Sequence, residues 1–179
     1  MRMPFSAIVG LTLTGAFLFI ALFAQFIAPY PIDTAVGGVW EPPSAHYWLG
    51  TDTIGRDIVS RLIYGAQVTI FVALASSILA FSLGAFLGFF AAVRGGWIDQ
   101  TLSRIVDLVM AIPALIVALV MLSVLPLNLT VLILVMGILD STRVFRLSRA
   151  VAMDITVMDY VEAAKLRGEK QGWIIFREI

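Results

Sequence analysis

The chain has 179 residues, of which 60% are hydrophobic and 13% charged, and its twelve Lys/Arg balance twelve Asp/Glu. Soluble domains are about 45–50% apolar and about 25% charged, so this composition excludes a water-soluble core and points to an integral membrane protein. Zero net charge argues against a nucleic-acid partner, the absence of cysteine excludes disulfides and thiolate chemistry, and the single histidine, His46, excludes a histidine-rich metal site.

The first apolar run is Phe5 to Ala28, free of charge and flanked by Pro4 and Pro29. A bilayer core of ~30 Å needs ~20 helical residues, so the run is long enough to span. A cleaved signal peptide is the competing reading, but its apolar region would be only ~7–15 residues long. The second run, Val68 to Val93, lies between Arg61 and Arg94 and carries a GxxxG at Gly84 and Gly88. That spacing predicts a helix face packed closely against a neighbour, within the chain or in another subunit. The third run, Leu108 to Leu139, is too long for one untilted helix and short for two. Pro126 and Asn128 break it, which predicts a tight hairpin. One arm starts in the amphipathic Trp97–Asp107 segment and ends near Val124, with a kink at Pro113. The other arm starts near Leu129 and extends past Asp140.

Charge gives an independent reading of orientation. With the amino terminus inside and four spans, segments 1–4, 94–107 and 140–179 face inward and hold ten Lys/Arg, while segment 29–67 holds two. That asymmetry follows the positive-inside rule and places the carboxy-terminal segment in the cytoplasm. The expected class is therefore all-α, a polytopic transmembrane helical bundle. It divides into an amino-terminal span with an external segment, 1–67, and a core of three spans with a cytoplasmic loop, 68–179.

Composition changes at Ser141. Arg143, Arg146 and Arg149 recur every three residues and form a slowly drifting helical stripe. An inner-surface anchor reaching lipid phosphates explains the stripe. A voltage sensor has the same repeat but needs its arginines within the span. Ile155, Met158 and Val161 then mark a short amphipathic helix, and Gly168 stands where a left-handed C-cap is expected. A second apolar patch, Gly172–Phe176, follows. Both a docking element for a cytoplasmic partner and a helix lying on the inner leaflet fit this pattern.

Glu162-Ala163-Ala164, three residues and Gly168 resemble the EAA loop of permeases of ATP-binding-cassette importers. His46–Ile70, Gly95–Leu115 and Tyr160–Ile179 are similar, in that order, to segments of the dipeptide, oligopeptide and nickel permease group. The resemblance covers about residues 29–179. It implies a type I importer permease of about six spans, four of them present here. It further implies a place for this chain in the inner membrane among its lipid, beside a second permease subunit, with two cytoplasmic ATPases that bind the ATP and an extracytoplasmic solute-binding protein as partners. In that setting Glu162, Ala163, Ala164 and Gly168 form the coupling contact: the alanines allow close approach, Gly168 turns the chain, and Glu162 meets a basic group. Gly172 stands where the family usually has tryptophan, and the chain stops at Ile179, before the expected Leu-Pro and two further spans. A fragment is the expectation.

No P-loop sequence is present and no nucleophile–base set suggests itself, so the chain is expected to be a transport subunit without an ATPase site, catalytic residues or a cofactor of its own. His46 reads as an interfacial residue beside Tyr47 and Trp48. Arg104 with Asp107, and Asp140 with Arg143, read as i, i+3 ion pairs; a proton-relay role is the alternative for Asp140. A stand-alone channel or secondary transporter, and a membrane anchor that recruits a partner, are the competing functional classes.

Overall fold

Helix boundaries in the computed structural model follow proline, glycine and capping residues. It describes residues 4–126, 128–156, 158, 161, 166–169 and 173. The helices are α1 (Phe5–Leu22), α2 (Ala24–Ile27), α3 (Ile58–Arg94), α4 (Gly96–Ala111), α5 (Ala114–Val124) and α6 (Leu129–Thr156). Among the described residues the only β-type pairing is an isolated bridge between Thr51 and Asp57. The chain divides into two compact units, Met1–Val72 and Ala73–Ile179, and α3 runs through the boundary. By length and composition α1 and α3 are each able to cross a membrane, and the pair α4–α5 would count as a third crossing if taken as one bent span.

In the first unit α1 leaves most of its apolar side chains exposed, as a lipid-facing helix does; Phe5 and Leu22 are 81% and 75% exposed. Its carboxy-terminal end meets α3 through Gln67, whose side-chain amide donates to the Ala21 carbonyl at 3.0 Å. α3 begins at Ile58, not at Val68 where the apolar run starts. The reason is a cap: Asp57 Oδ2 accepts the Ser60 N–H at 2.8 Å and the Ser60 hydroxyl at 2.7 Å. Ser60 Oγ in turn accepts the Tyr30 N–H at 3.0 Å, tying the end of the first apolar segment to the first turn of α3.

In the second unit Gly95 and Gly96, with φ of 61° and 59°, turn the chain from α3 into α4. α4 and α5 form no continuous helix. They meet at 84° across Ile112 and Pro113, where the sequence predicts only a kink. Pro113 has no N–H to donate and forces Ile112 out of the helical region, to φ −96° and ψ 133°. The 11-residue α5 is therefore only about 16 Å long. The hairpin between α5 and α6 forms where Pro126 and Asn128 predict it. Asn128 Oδ1 caps α6 by accepting the Val131 N–H at 2.8 Å.

α6 lies against both α4 and α5. It also runs alongside the second half of α3 in the same direction, with Gly137 on Leu79, Ser141 to Phe145 on Gly84, and Phe145 to Arg149 on Gly88. Phe145, Ala91 and Ala80 are buried, at 2%, 0% and 3% exposure.

Candidate functional site

Three places gather polar side chains that an apolar chain would otherwise lack. The first is the segment between α2 and α3. Asp52, 7% exposed, accepts the Ile54 and Arg56 N–H groups on Oδ1 at 2.8 and 3.0 Å. Its Oδ2 accepts Arg56 Nε at 2.9 Å and Arg61 Nη1 at 2.5 Å. Thr51 Oγ1 accepts the Glu41 N–H at 2.8 Å and donates to the Gly38 carbonyl at 2.6 Å, which closes the loop on itself. The Arg56 N–H foremost, then the Ile54 N–H and the Arg56 guanidinium, hold the Asp52 carboxyl well below the ordinary aspartate range, against the opposing effect of burial.

A depressed folded-state pKa stabilises the fold above the unfolded value of about 4, and that contribution is lost as pH falls through the lowered folded value. The fluorescence of Trp40 and Trp48, which flank this network, should therefore stay unchanged from pH 8 to 5 and shift only in strongly acidic solution. Asp52→Asn should bring the acid-state spectrum to neutral pH. A wild-type midpoint at or above the ordinary aspartate value would contradict the assignment.

The second place is the seam between α4 and α6. Arg149 grips Asp99 with two parallel bonds, Nε to Oδ1 and Nη2 to Oδ2, the latter 2.5 Å long. The two side chains are 28% and 14% exposed, so the pair is largely withdrawn from solvent. Next to it Ser103, Asp107, Phe145, Arg146 and Arg149 line a cavity of about 170 Å³. The arginine stripe thus has protein partners: Arg143 lies 3.8 Å from Asp140, Arg146 Nη1 lies 3.7 Å from Met110 Sδ, and Arg149 holds Asp99. The expected Asp140–Arg143 pair is present, with its side chains 49% and 71% exposed. The expected Arg104–Asp107 pair is not within ion-pair distance among the described residues; both side chains lie exposed on α4, and Asp107 opens onto the cavity.

The third place is the polar end. Of the four coupling residues expected there, Glu162, Ala163 and Ala164 lie outside the described residues. Gly168 has φ 77°, the left-handed conformation of a helix C-cap, and open space around it. Val161 is fully buried against Ile155 and Trp173, so Trp173 from beyond the glycine packs on Val161 from before it, while Met158 stays 49% exposed.

The structure places Gly84 and Gly88 at close approach to α6. A Cβ at Gly84 would stand 2.5 Å from the Ser141 carbonyl oxygen and 2.6 Å from Val144 Cβ. At Gly88 it would stand 2.7 Å from the Phe145 carbonyl oxygen. His46 lines a small cavity with Pro29, Trp48, Asp57 and Val59, and among the described residues no group of three His, Cys, Asp or Glu is placed to hold a metal. Sequence reasoning missed the Asp99–Arg149 grip, because no periodicity links residues 50 positions apart. It also missed the Asp52 cluster, whose only signal is the i, i+4 spacing of Asp52 and Arg56 in a segment without helix.

Residues 84–179 match the family described as "Binding-protein-dependent transport system inner membrane component". The chain is 34% identical over 174 residues to the dipeptide transport system permease protein of Alkalihalophilus pseudofirmus, covering 97% of this chain and 57% of the relative. It is 32% identical to the oligopeptide transport system permease protein of Bacillus subtilis, with the same coverage. It is 28% identical to the glutathione transport system permease protein of Pectobacterium atrosepticum, covering 89% of this chain and 54% of the relative. The chain therefore spans a little over half the length of these relatives.

Proposed function

We propose that this chain, which belongs to the family of binding-protein-dependent transport system inner membrane components, is one permease subunit of an ATP-driven importer that carries peptides or a related small solute. The carrying observation is the family match over 84–179, which runs from the glycine face of α3 through α6 and the Glu162–Gly168 motif. Four crossings with both ends inside is the reading that the charge asymmetry favours, and the helix directions in the second unit are compatible with it. α3 and α6 run the same way, and α4 runs opposite to them, as Asp99 meets Arg149 while Val109 and Leu139 line one groove. On this reading residues 1–67 form the first span and the external segment, and 68–179 form the permease core.

The partners are a second permease subunit, two cytoplasmic ATPases and an external solute-binding protein. Glu162, Ala163, Ala164 and Gly168 form the contact with an ATPase. Closure of the ATPases on ATP pushes the segment that carries these residues, which follows α6 in the chain, and the spans shift between two states. The motion reaches the spans through the packed contacts of α6 with α3 and α4.

In membranes that hold all the partners, Glu162→Lys and Gly168→Val should each leave the subunits assembled while ATP-driven uptake of a labelled dipeptide falls about tenfold or more. The valine forces a side chain onto a left-handed backbone, and the lysine reverses the charge offered to the ATPase. Uptake by the purified chain without ATP, or labelling of Lys165 and Lys170 from outside the cell, would defeat the proposal.

A further inference from the structure

The cavity at the α4–α6 seam has an unusual charge balance for its depth. No residue between Leu108 and Leu139 is charged, and Asp107 and Asp140 bound that run. Ser103, Asp107 and Arg146 thus sit within about two helical turns of the apolar boundary, and Arg149 within about three, near the level of lipid headgroups for a membrane chain. Asp99 occupies two of the Arg149 donors and neutralises it. What is left in the cavity is one cation, one anion and one hydroxyl. Arg146 and Asp107 are both exposed, and among the described residues neither has an ion-pair partner; Arg146 reaches only the Met110 thioether. The Ser103 hydroxyl is buried and has no hydrogen-bond partner, an arrangement that native structures rarely leave unfilled.

A simple anion would meet Asp107, and a simple cation would meet Arg146. A ligand that carries both charges a few ångströms apart satisfies both. We propose that this cavity binds the headgroup of a phosphoethanolamine lipid, with the phosphate on Arg146 and the Ser103 hydroxyl and the primary ammonium on Asp107. A guanidinium is suited to a phosphate ester, and a carboxylate accepts N–H bonds that a quaternary ammonium cannot donate. The same two helices, with α5, carry an apolar groove of about 520 Å³ lined by Val109, Val117, Met121, Val135 and Ile138, which accommodates an acyl chain. The headgroup would then brace α6 against α4 beside the Asp99–Arg149 grip.

Native mass spectrometry of the delipidated protein in micelles tests this. Phosphatidylethanolamine should be retained about tenfold better than phosphatidylcholine or phosphatidylglycerol, the value of one charge-assisted contact. Asp107→Asn should erase the preference over phosphatidylcholine, Arg146→Gln should weaken all three lipids, and Ser103→Ala, the mildest change, should weaken binding with the helix content unchanged. Equal retention of ethanolamine and choline lipids would overturn the assignment. So would equal binding of soluble glycerophosphoethanolamine, which would mean a water-borne zwitterion. Strong non-additivity between Asp107→Asn and Arg146→Gln in lipid-free protein would also overturn it, because the two would then be each other's partner.

Discussion

Gly84→Val and Gly88→Val should each cost more folded protein than any other single apolar substitution in α3, Gly84→Val the most. A Cβ at Gly88 would stand 2.7 Å from the Phe145 carbonyl oxygen and 3.0 Å from the Arg149 nitrogen, and at Gly84 2.5 Å from the Ser141 carbonyl oxygen. These are backbone atoms, which cannot rotate away as a side-chain tip can. Overpacking usually costs about 1–3 kcal/mol, and a clash with a helix backbone belongs at the upper end or beyond.

The sign of the alanine variants gives the sharper test. In an open part of a helix, glycine to alanine gains about 0.5–1 kcal/mol. Gly65, within α3 and with nothing within 4 Å of its would-be Cβ, should show that gain. Gly84→Ala and Gly88→Ala should show a loss, because separating α3 from α6 forfeits close packing along the whole crossing. Unfolding in detergent measures all three variants. Equal stabilisation at all three positions would mean that α3 and α6 do not cross there.

Asp99→Ala should be the most damaging of the polar substitutions. It leaves the Arg149 guanidinium, 28% exposed, beside Arg146 with no anion in its grip. Removing one partner of a buried pair costs about 3–5 kcal/mol, and partial exposure brings the expectation down to about 2–3 kcal/mol. Arg149→Lys should restore little, since an ammonium cannot make the two parallel bonds. A double-mutant cycle on Asp99 and Arg149 should give a coupling of about 1–3 kcal/mol. Additive effects would show that α4 and α6 are held by apolar packing alone, and the seam would lose its claim to hold the bundle together.

Local chemistry was legible before any fold was known. The apolar runs, the break at Pro126 and Asn128, the left-handed Gly168 and the close-packing glycines all follow from a few neighbouring residues acting on their own backbone. Even the membrane itself was legible, because composition and the spacing of charges need no tertiary contact to be read. The start of α3 was misplaced for a local reason too: the Asp57 cap lies upstream of the apolar run, and hydropathy does not see caps.

Pairings between distant residues had to wait for the tertiary structure. Proline at position 113 removes one hydrogen bond and bars one backbone conformation, which permits a bend of any size. The 84° bend places α4 where its Asp99 reaches Arg149 of α6. Likewise a GxxxG permits close approach without naming the partner, and only the folded chain selects α6 over a second subunit at Gly84 and Gly88. What each segment can do in lipid depends on side chains a few positions apart, and is legible without a fold. Which helices meet, and which charges close on each other, is decided by contacts 50 residues apart along the chain, whose energy exists only once the backbone has brought them together.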